Sequence, residues 1–182
     1  MRSSLLRKVG GFREELPHTA DFEMWMRLAL YSDVGYVRGR HQAGYRDHPM
    51  GMHHQQFGMT LAELTQVRTA FQLLFRDHAQ MISDCQRLEE SVRRRLAQRA
   101  LHAACRAYDW GKVDPVEVSG LEDLAVTIWD DAHTLREMRS LRWREQLGPG
   151  LCRMLAPFLM LTHARFLYWK FGRWRMHRLG LL

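Results

Sequence analysis

The sequence predicts a mainly α protein with a small β hairpin near its amino-terminal end. Three observations carry that expectation. From Phe57 onward, apolar residues recur at three- and four-residue spacing over long stretches, the period of helices with one buried face. Before that point two short runs, residues 34–38 and 42–46, have β character and are separated by Gly39 and polar residues. The composition, 46% hydrophobic and 26% charged over 182 residues, suits an ordinary globular protein of one domain, or one small unit with an extension.

Taken in order, residues 3–8 read as a short helix running into Gly10-Gly11, a pair that permits positive φ and close backbone approach. The pair serves equally as a helix C-cap, and both roles can hold at once. Thr19 is placed to N-cap a helix from Ala20 to about Tyr31. Phe22, Trp25, Met26 and Ala29 are read as the buried stripe of this helix, and Glu23 with Arg27 as an i,i+4 ion pair. The two β-like runs would form a hairpin or an edge addition to a sheet, since two strands alone are marginal in water. Long helices are expected over 60–78 and 83–108, the second closed by Asp109-Trp110-Gly111. Asp114-Pro115 reads as a linker, and Ser119-Gly120-Leu121-Glu122 as a capping box opening a helix to about Asp130. A last patterned helix runs over 134–147, stopped by Gly148-Pro149-Gly150. This divides the chain into residues 1–56, a helical extension over 57–150, and a tail over 151–182.

The stretch over residues 9–49 carries most of the chemical character. Its Gly10-Gly11-Phe12 turn, the Leu16-Pro17-His18-Thr19-Ala20-Asp21 approach, the Trp25-x-Arg27 helix and the Tyr45-Arg46-x-His48 ending fall in one order at characteristic spacing. Together they resemble the second half of the catalytic domain of family 2 glycosyltransferases, nucleotide-sugar enzymes of the GT-A fold. The resemblance covers residues 1 to about 56. It implies that this part is the carboxy-terminal fragment of an α/β GT-A domain, followed by a helical extension.

The resemblance also implies a chemistry. Inverting glycosyl transfer needs a base that takes the proton of the acceptor hydroxyl as it attacks the anomeric carbon, and a carboxylate at a helix N-terminus can be placed for that. The acid at this place in the family's motif is the catalytic base, which maps onto Asp21. The family usually has Glu-Asp where this chain has Ala20-Asp21, so the preceding acid is missing while the base is retained. On the same footing His48 is a candidate ligand for the divalent metal, Mg or Mn, that holds the nucleotide diphosphate. Gly10 and Gly11 would line the substrate, with His18 on the acceptor side. Arg46 could contact a phosphate or carboxylate bidentately, or pair with Asp47 or Asp33. A zinc site of His48, His53 and His54 has no acid or cysteine nearby to complete it.

The family also has an amino-terminal βαβ half that binds the nucleotide, and an Asp-x-Asp on a central strand. Neither an Asp-x-Asp nor a phosphate-binding glycine-rich loop occurs here, and Asp130-Asp131 is no substitute. The expectation is therefore a truncated enzyme that does not turn over alone. Its donor would be a nucleotide sugar and its acceptor a glycan, lipid-linked or of the cell envelope.

The net charge of +7 is concentrated at one end. Residues 151–182 hold Arg153, Arg165, Lys170, Arg173, Arg175 and Arg178 with no Asp or Glu, which leaves the other 150 residues at +1. Phe158, Phe166, Tyr168, Trp169, Phe171 and Trp174 interleave with these cations. Such a tail suits a membrane interface or a helix packed on its neighbours. Single-stranded nucleic acid ranks last, since no nucleic-acid motif accompanies the charge. The rival to the enzyme reading is a non-catalytic helical module that binds an anionic membrane or a protein partner. Three cysteines form no CxxC pair, and Cys85 and Cys105 on one helix would lie ~30 Å apart, too far for a disulfide. Free thiols, the lack of a signal-peptide core and the lack of a spanning apolar run point to the cytoplasm, with peripheral attachment to the inner face of the membrane as an option.

Overall fold

A computed structural model describes residues 3–35 and 60–159, and the two β-like runs fall almost entirely outside them. Every regular element among the described residues is helical. The elements are α1 (Ser3–Val9), α2 (Ala20–Tyr31), α3 (Leu61–His78), α4 (Cys85–Asp109), α5 (Pro115–Ile128) and α6 (Arg136–Leu159), with short 3₁₀ turns at Ala79–Met81 and Ala132–Thr134. None of the described helices is long and apolar enough to cross a membrane. The mainly α expectation therefore holds, whereas the hairpin lies outside the described residues.

The core is built around the second half of α4. Leu96, Ala97, Ala100, Leu101, Ala103, Ala104 and Cys105 are all buried there. The run of alanines lets α5 and α6, its principal neighbours, approach closely. Leu121, Leu124, Ala125 and Ile128 of α5 and Met138 and Leu141 of α6 complete the main cluster, with Leu64 and Val67 of α3 at its edge. The first half of α4 is largely exposed. There the Arg93 side chain reaches across to donate to the Ile128 carbonyl at the end of α5, at 2.9 Å.

The starts of α3 and α5 find side-chain partners for their orphan N–H groups. Thr60 caps α3, its hydroxyl accepting from Glu63 N at 3.3 Å, and Glu117 of α5 accepts from Leu61 N at 2.5 Å. The expected linker at Asp114-Pro115 is instead the start of α5. Asp114 accepts from Val116 N at 3.0 Å and Pro115 opens the first turn. Ser119 and Glu122 thus lie inside the helix, and the capping-box reading is corrected. The first part of α6 stops at Gly148 as expected, but a second helical part follows directly. At φ 74°, ψ 163° Gly148 breaks the helix, which resumes from Pro149 to Leu159. A proline needs no N–H partner in a first turn, so the Gly-Pro pair that reads as a stop serves as a break and restart.

Two polar side chains are buried between α4 and α6. Arg144 donates through Nε and Nη2 to the two carboxylate oxygens of Asp109, at 2.7 and 3.1 Å, and through Nη1 to the Ser140 hydroxyl at 2.5 Å. Cys105 and Cys152 are buried nearby, and all three thiols are free. Burial pushes the Cys105 thiol up to about 11, keeping it protonated and unreactive at neutral pH. Replacing Asp109 by Ala strands the Arg144 charge. Urea unfolding should then show a loss of about 3–5 kcal/mol, and a loss below about 1 kcal/mol would mean the pair is dispensable.

Candidate functional site

The motif-bearing segment docks on α3. Leu16, fully buried, packs with Ala70 and Leu73, and Phe22 meets Phe71 edge-on at 5.5 Å between ring centroids. The main chain is pinned there too: His18 N donates to Gln66 Oε1 at 3.0 Å. The Thr19 hydroxyl donates to the Gln66 carbonyl at 3.4 Å, so it does not cap α2, although Thr19 occupies the N-cap position. At the far end of α2 the Tyr31 ring stands edge-on to His78.

The buried face of α2 is mixed, a charged pair beside two apolar residues. Glu23 is fully buried and Arg27 is 5% exposed, with Met24 and Leu28 beside them. Arg27 donates to both Glu23 oxygens at 2.9 Å, to the Val9 carbonyl at 2.5 Å and to the Gly11 carbonyl at 2.7 Å. One guanidinium thus ties the Gly10-Gly11 turn to the helix. Gly10 takes φ +89° and donates its N–H to Leu6 O at 2.8 Å, the left-handed helix end that favours glycine. The C-cap reading of this pair therefore holds. The stripe expected to be buried lies on the opposite side: Trp25 is 62% exposed, Ala29 is exposed, and Phe22 and Met26 are only partly covered. Hydrophobicity alone picks the wrong face because a satisfied Glu–Arg pair can be buried deeper than a tryptophan.

Asp21 sits on this outer face, in line with Trp25 and Ala29 at four-residue steps. It is exposed, and its Oδ1 accepts from Phe22 N at 2.7 Å. Among the described residues it joins no ion pair. Phe12, also strongly exposed, adds to the apolar surface of this segment. Gly10, Gly11, His18 and Asp21 thus belong to one segment, but they divide in role. The glycine turn and the His18 main chain are structural anchors, and Asp21 alone projects outward. Arg46, His48, His53 and His54 lie outside the described residues. Among the described residues no cluster of three or more His, Cys, Asp or Glu side chains could hold a metal ion. A separate cleft between α3, α4 and α5, lined by Arg68, Phe71, Phe75, Arg93 and Ile128, contains none of the expected site residues.

A second arginine extends the network outward. Arg13 donates to Glu23 at 3.1 Å and to Asp77 of α3 at 2.6 Å. The Arg76 guanidinium, which donates to Asp77 at 2.6 Å, together with that of Arg13 holds the Asp77 carboxyl down at about 2. Sequence reasoning found the Glu23–Arg27 pair from its spacing. Arg13 and Asp77, 64 positions apart, carry no local signal. Comparison of the chain with family models, curated proteins and solved structures gives no match.

Two outcomes test this arrangement. Glu23→Ala leaves Arg27 buried with only carbonyl acceptors, so α2 amides should lose about 3–5 kcal/mol of hydrogen-exchange protection. Unchanged protection would show the pair to be unimportant. Because the Asp77 pKa is lower folded than unfolded, its contribution is complete above pH ~4 and fades as pH falls towards about 2. Asp77→Asn should lower the melting temperature at pH 7 and flatten its decline between those limits.

Proposed function

We propose that the segment over residues 9–49 is the acceptor-side part of an inverting glycosyltransferase that uses a nucleotide-sugar donor, with Asp21 as its base. The observation that carries this reading is the partition of the motif on α2. Glu23 and Arg27 turn inward and hold the Gly10-Gly11 turn, while Asp21 stands on the outer face beside Trp25. A base must be accessible to substrate and rigidly mounted. Asp21 has both properties, on a helix anchored through its opposite side.

In the reaction, an Asp21 oxygen takes the proton of the acceptor hydroxyl. The acceptor's hydroxyl oxygen, with the electron pair of its broken O–H bond, forms its bond to the anomeric carbon from the face opposite the donor's diphosphate. The bond to the diphosphate breaks, and the nucleoside diphosphate leaves with the electron pair. A divalent metal of Mg or Mn type would neutralise the leaving diphosphate, with His48 as its proposed ligand. The donor-binding half would come from sequence joined to this one, and the acceptor would be a lipid-linked or cell-envelope glycan.

The test begins with the DNA upstream of the first codon, translated in all frames. A βαβ half with an Asp-x-Asp is expected there. The joined protein, assayed against a panel of nucleotide sugars, should transfer sugar with inversion. Asp21→Asn should lower its kcat about 10²–10⁴-fold with an unchanged melting temperature, because Asp21 is exposed and makes no inter-helix contact. Unrelated upstream sequence, or full turnover by Asp21→Asn, overturns the reading.

A further inference from the structure

We propose that the cleft between α3, α4 and α5 binds a small amphipathic carboxylate, an aliphatic or aryl chain ending in one anionic group. Two helix faces of matching period form its walls. Arg68, Phe71 and Phe75 line it from α3, and Glu89, Val92, Arg93 and Leu96 from α4. Each set advances by steps of three and four residues, which keeps it on one side of its helix. Such stripes interlock where two helices pack along their whole length. Here they leave a cavity of about 200 Å³, room for about seven waters at ~30 Å³ each. The floor is apolar: Phe75, Leu96 and Ile128 are buried, with Phe71 and Val92 half-buried beside them. The polar groups stand around the rim, where Gln72, Glu89, Arg93 and Thr127 are exposed and Arg68 is half-buried.

The charge selects the ligand. Among the described residues neither Arg68 nor Arg93 joins an ion pair. Arg93 donates its Nε–H to the Ile128 carbonyl at 2.9 Å, which holds the guanidinium at the cleft and leaves its Nη nitrogens to donate elsewhere. Arg68 is partly withdrawn from water with no carboxylate to answer it, a position in which a bound anion is favoured. Glu89, one turn before Arg93, is the one acid among the described lining residues, so two guanidiniums and one carboxylate give the lining a formal +1. That charge matches a monoanion, whereas a doubly charged phosphate would meet stronger repulsion from Glu89. The arginine fork also suits a planar carboxylate. An inorganic anion would leave Phe71, Phe75 and Leu96 uncovered, and a neutral hydrocarbon would leave the arginines unanswered. The cavity admits no partner helix, whose cylinder is about 10–12 Å across. Apolar walls with a few orienting polar groups are the design of small-ligand pockets. This inference is independent of the glycosyl-transfer reading, since the cleft contains none of Gly10, Gly11, His18 or Asp21.

Titration of hexanoate into the isotope-labelled full chain, followed by amide NMR, tests it. Amides of Phe71, Gln72, Val92, Arg93 and Thr127 should shift together and saturate with a Kd of about 1 mM or tighter. Acetate, which has the charge without the chain, and hexanol, which has the chain without the charge, should each bind about ten-fold or more weakly. Arg68→Gln should raise the hexanoate Kd about ten-fold. Its melting temperature should stay at the wild-type value, because Arg68 has no described partner to lose. Val92→Phe places a ring in the cavity and should abolish binding. Arg94→Gln, at an exposed cation of the same helix outside the cleft, should leave it unchanged. Hexanol binding as tightly as hexanoate reduces the cleft to a packing gap and overturns the proposal. Inorganic phosphate binding more tightly than hexanoate assigns the site to charge alone and overturns it too. Shifts confined to other parts of the molecule, no saturable binding, or full binding by Val92→Phe does the same.

Discussion

The guanidinium of Arg27 is buried with almost no contact with water, and a buried charge is tolerated only where its hydrogen bonds are supplied by the protein. Here they come from three places along the chain: the Glu23 carboxylate one turn back, and the carbonyls of Val9 and Gly11. Those carbonyls are available because Gly10 turns the chain through a left-handed conformation at the end of α1. Remove the charge and the turn has nothing to close upon. Remove the turn and the charge is under-satisfied. The arrangement of α1, the glycine pair and α2 is one interaction seen from three sides, and Arg13 carries it on to Asp77 of α3.

That dependence explains why Trp25 and Ala29 of α2 face outward. A twelve-residue helix has two faces to dispose of, and in this one Glu23, Arg27, Met24 and Leu28 are directed at the protein. The outer face still carries Trp25, with Phe22 and Met26 partly covered at its margin. With Met24 and Leu28 turned inward and Trp25 outward, α2 carries apolar side chains on both faces, which suits burial between two layers. Among the described residues, α3 and α1 are the helices in contact with it.

The helices were legible because their causes are local. Thr60, the apolar spacing of α3 and α4, and the end of α4 at Asp109 can all be seen within a few residues of where they act. Errors fall where a local signal has two physical outcomes. Asp114-Pro115 serves a linker or a helix start equally well, and only the Val116 N–H decides. Gly148-Pro149 ends a helix or breaks and restarts one, and the burial of Cys152 against the bundle favours the second. On α2 the pattern of apolar residues pointed outward, because no hydropathy count anticipates that a carboxylate and a guanidinium will satisfy each other inside. In the candidate site, Asp21 and the glycine pair were legible from their order in the motif. The pairs that mount them, Arg13 with Asp77 and the His18 main chain with Gln66, span 64 and 48 positions and depend on the fold.

The helix that makes a single body of these parts is α3. Gln66, Ala70, Leu73 and Asp77 recur at helical spacing on one side, and each meets the motif-bearing segment: the first by hydrogen bonds, the middle two by packing on Leu16, the last through Arg13. On another side Leu64 and Val67 enter the main core with α4 and α5. Phe71 lies between the two sets, touching Phe22 on one hand and stacking towards Phe75 on the other. A rotation of α3 that served one face would unseat the other, so the packing of α3 ties the position of Asp21 to that of the bundle. The helical extension is then more than an appendage, since it provides the rigid mount on which the candidate base is held. On the proposed reading that rigidity matters, because a base displaced by about 1 Å loses much of its effect.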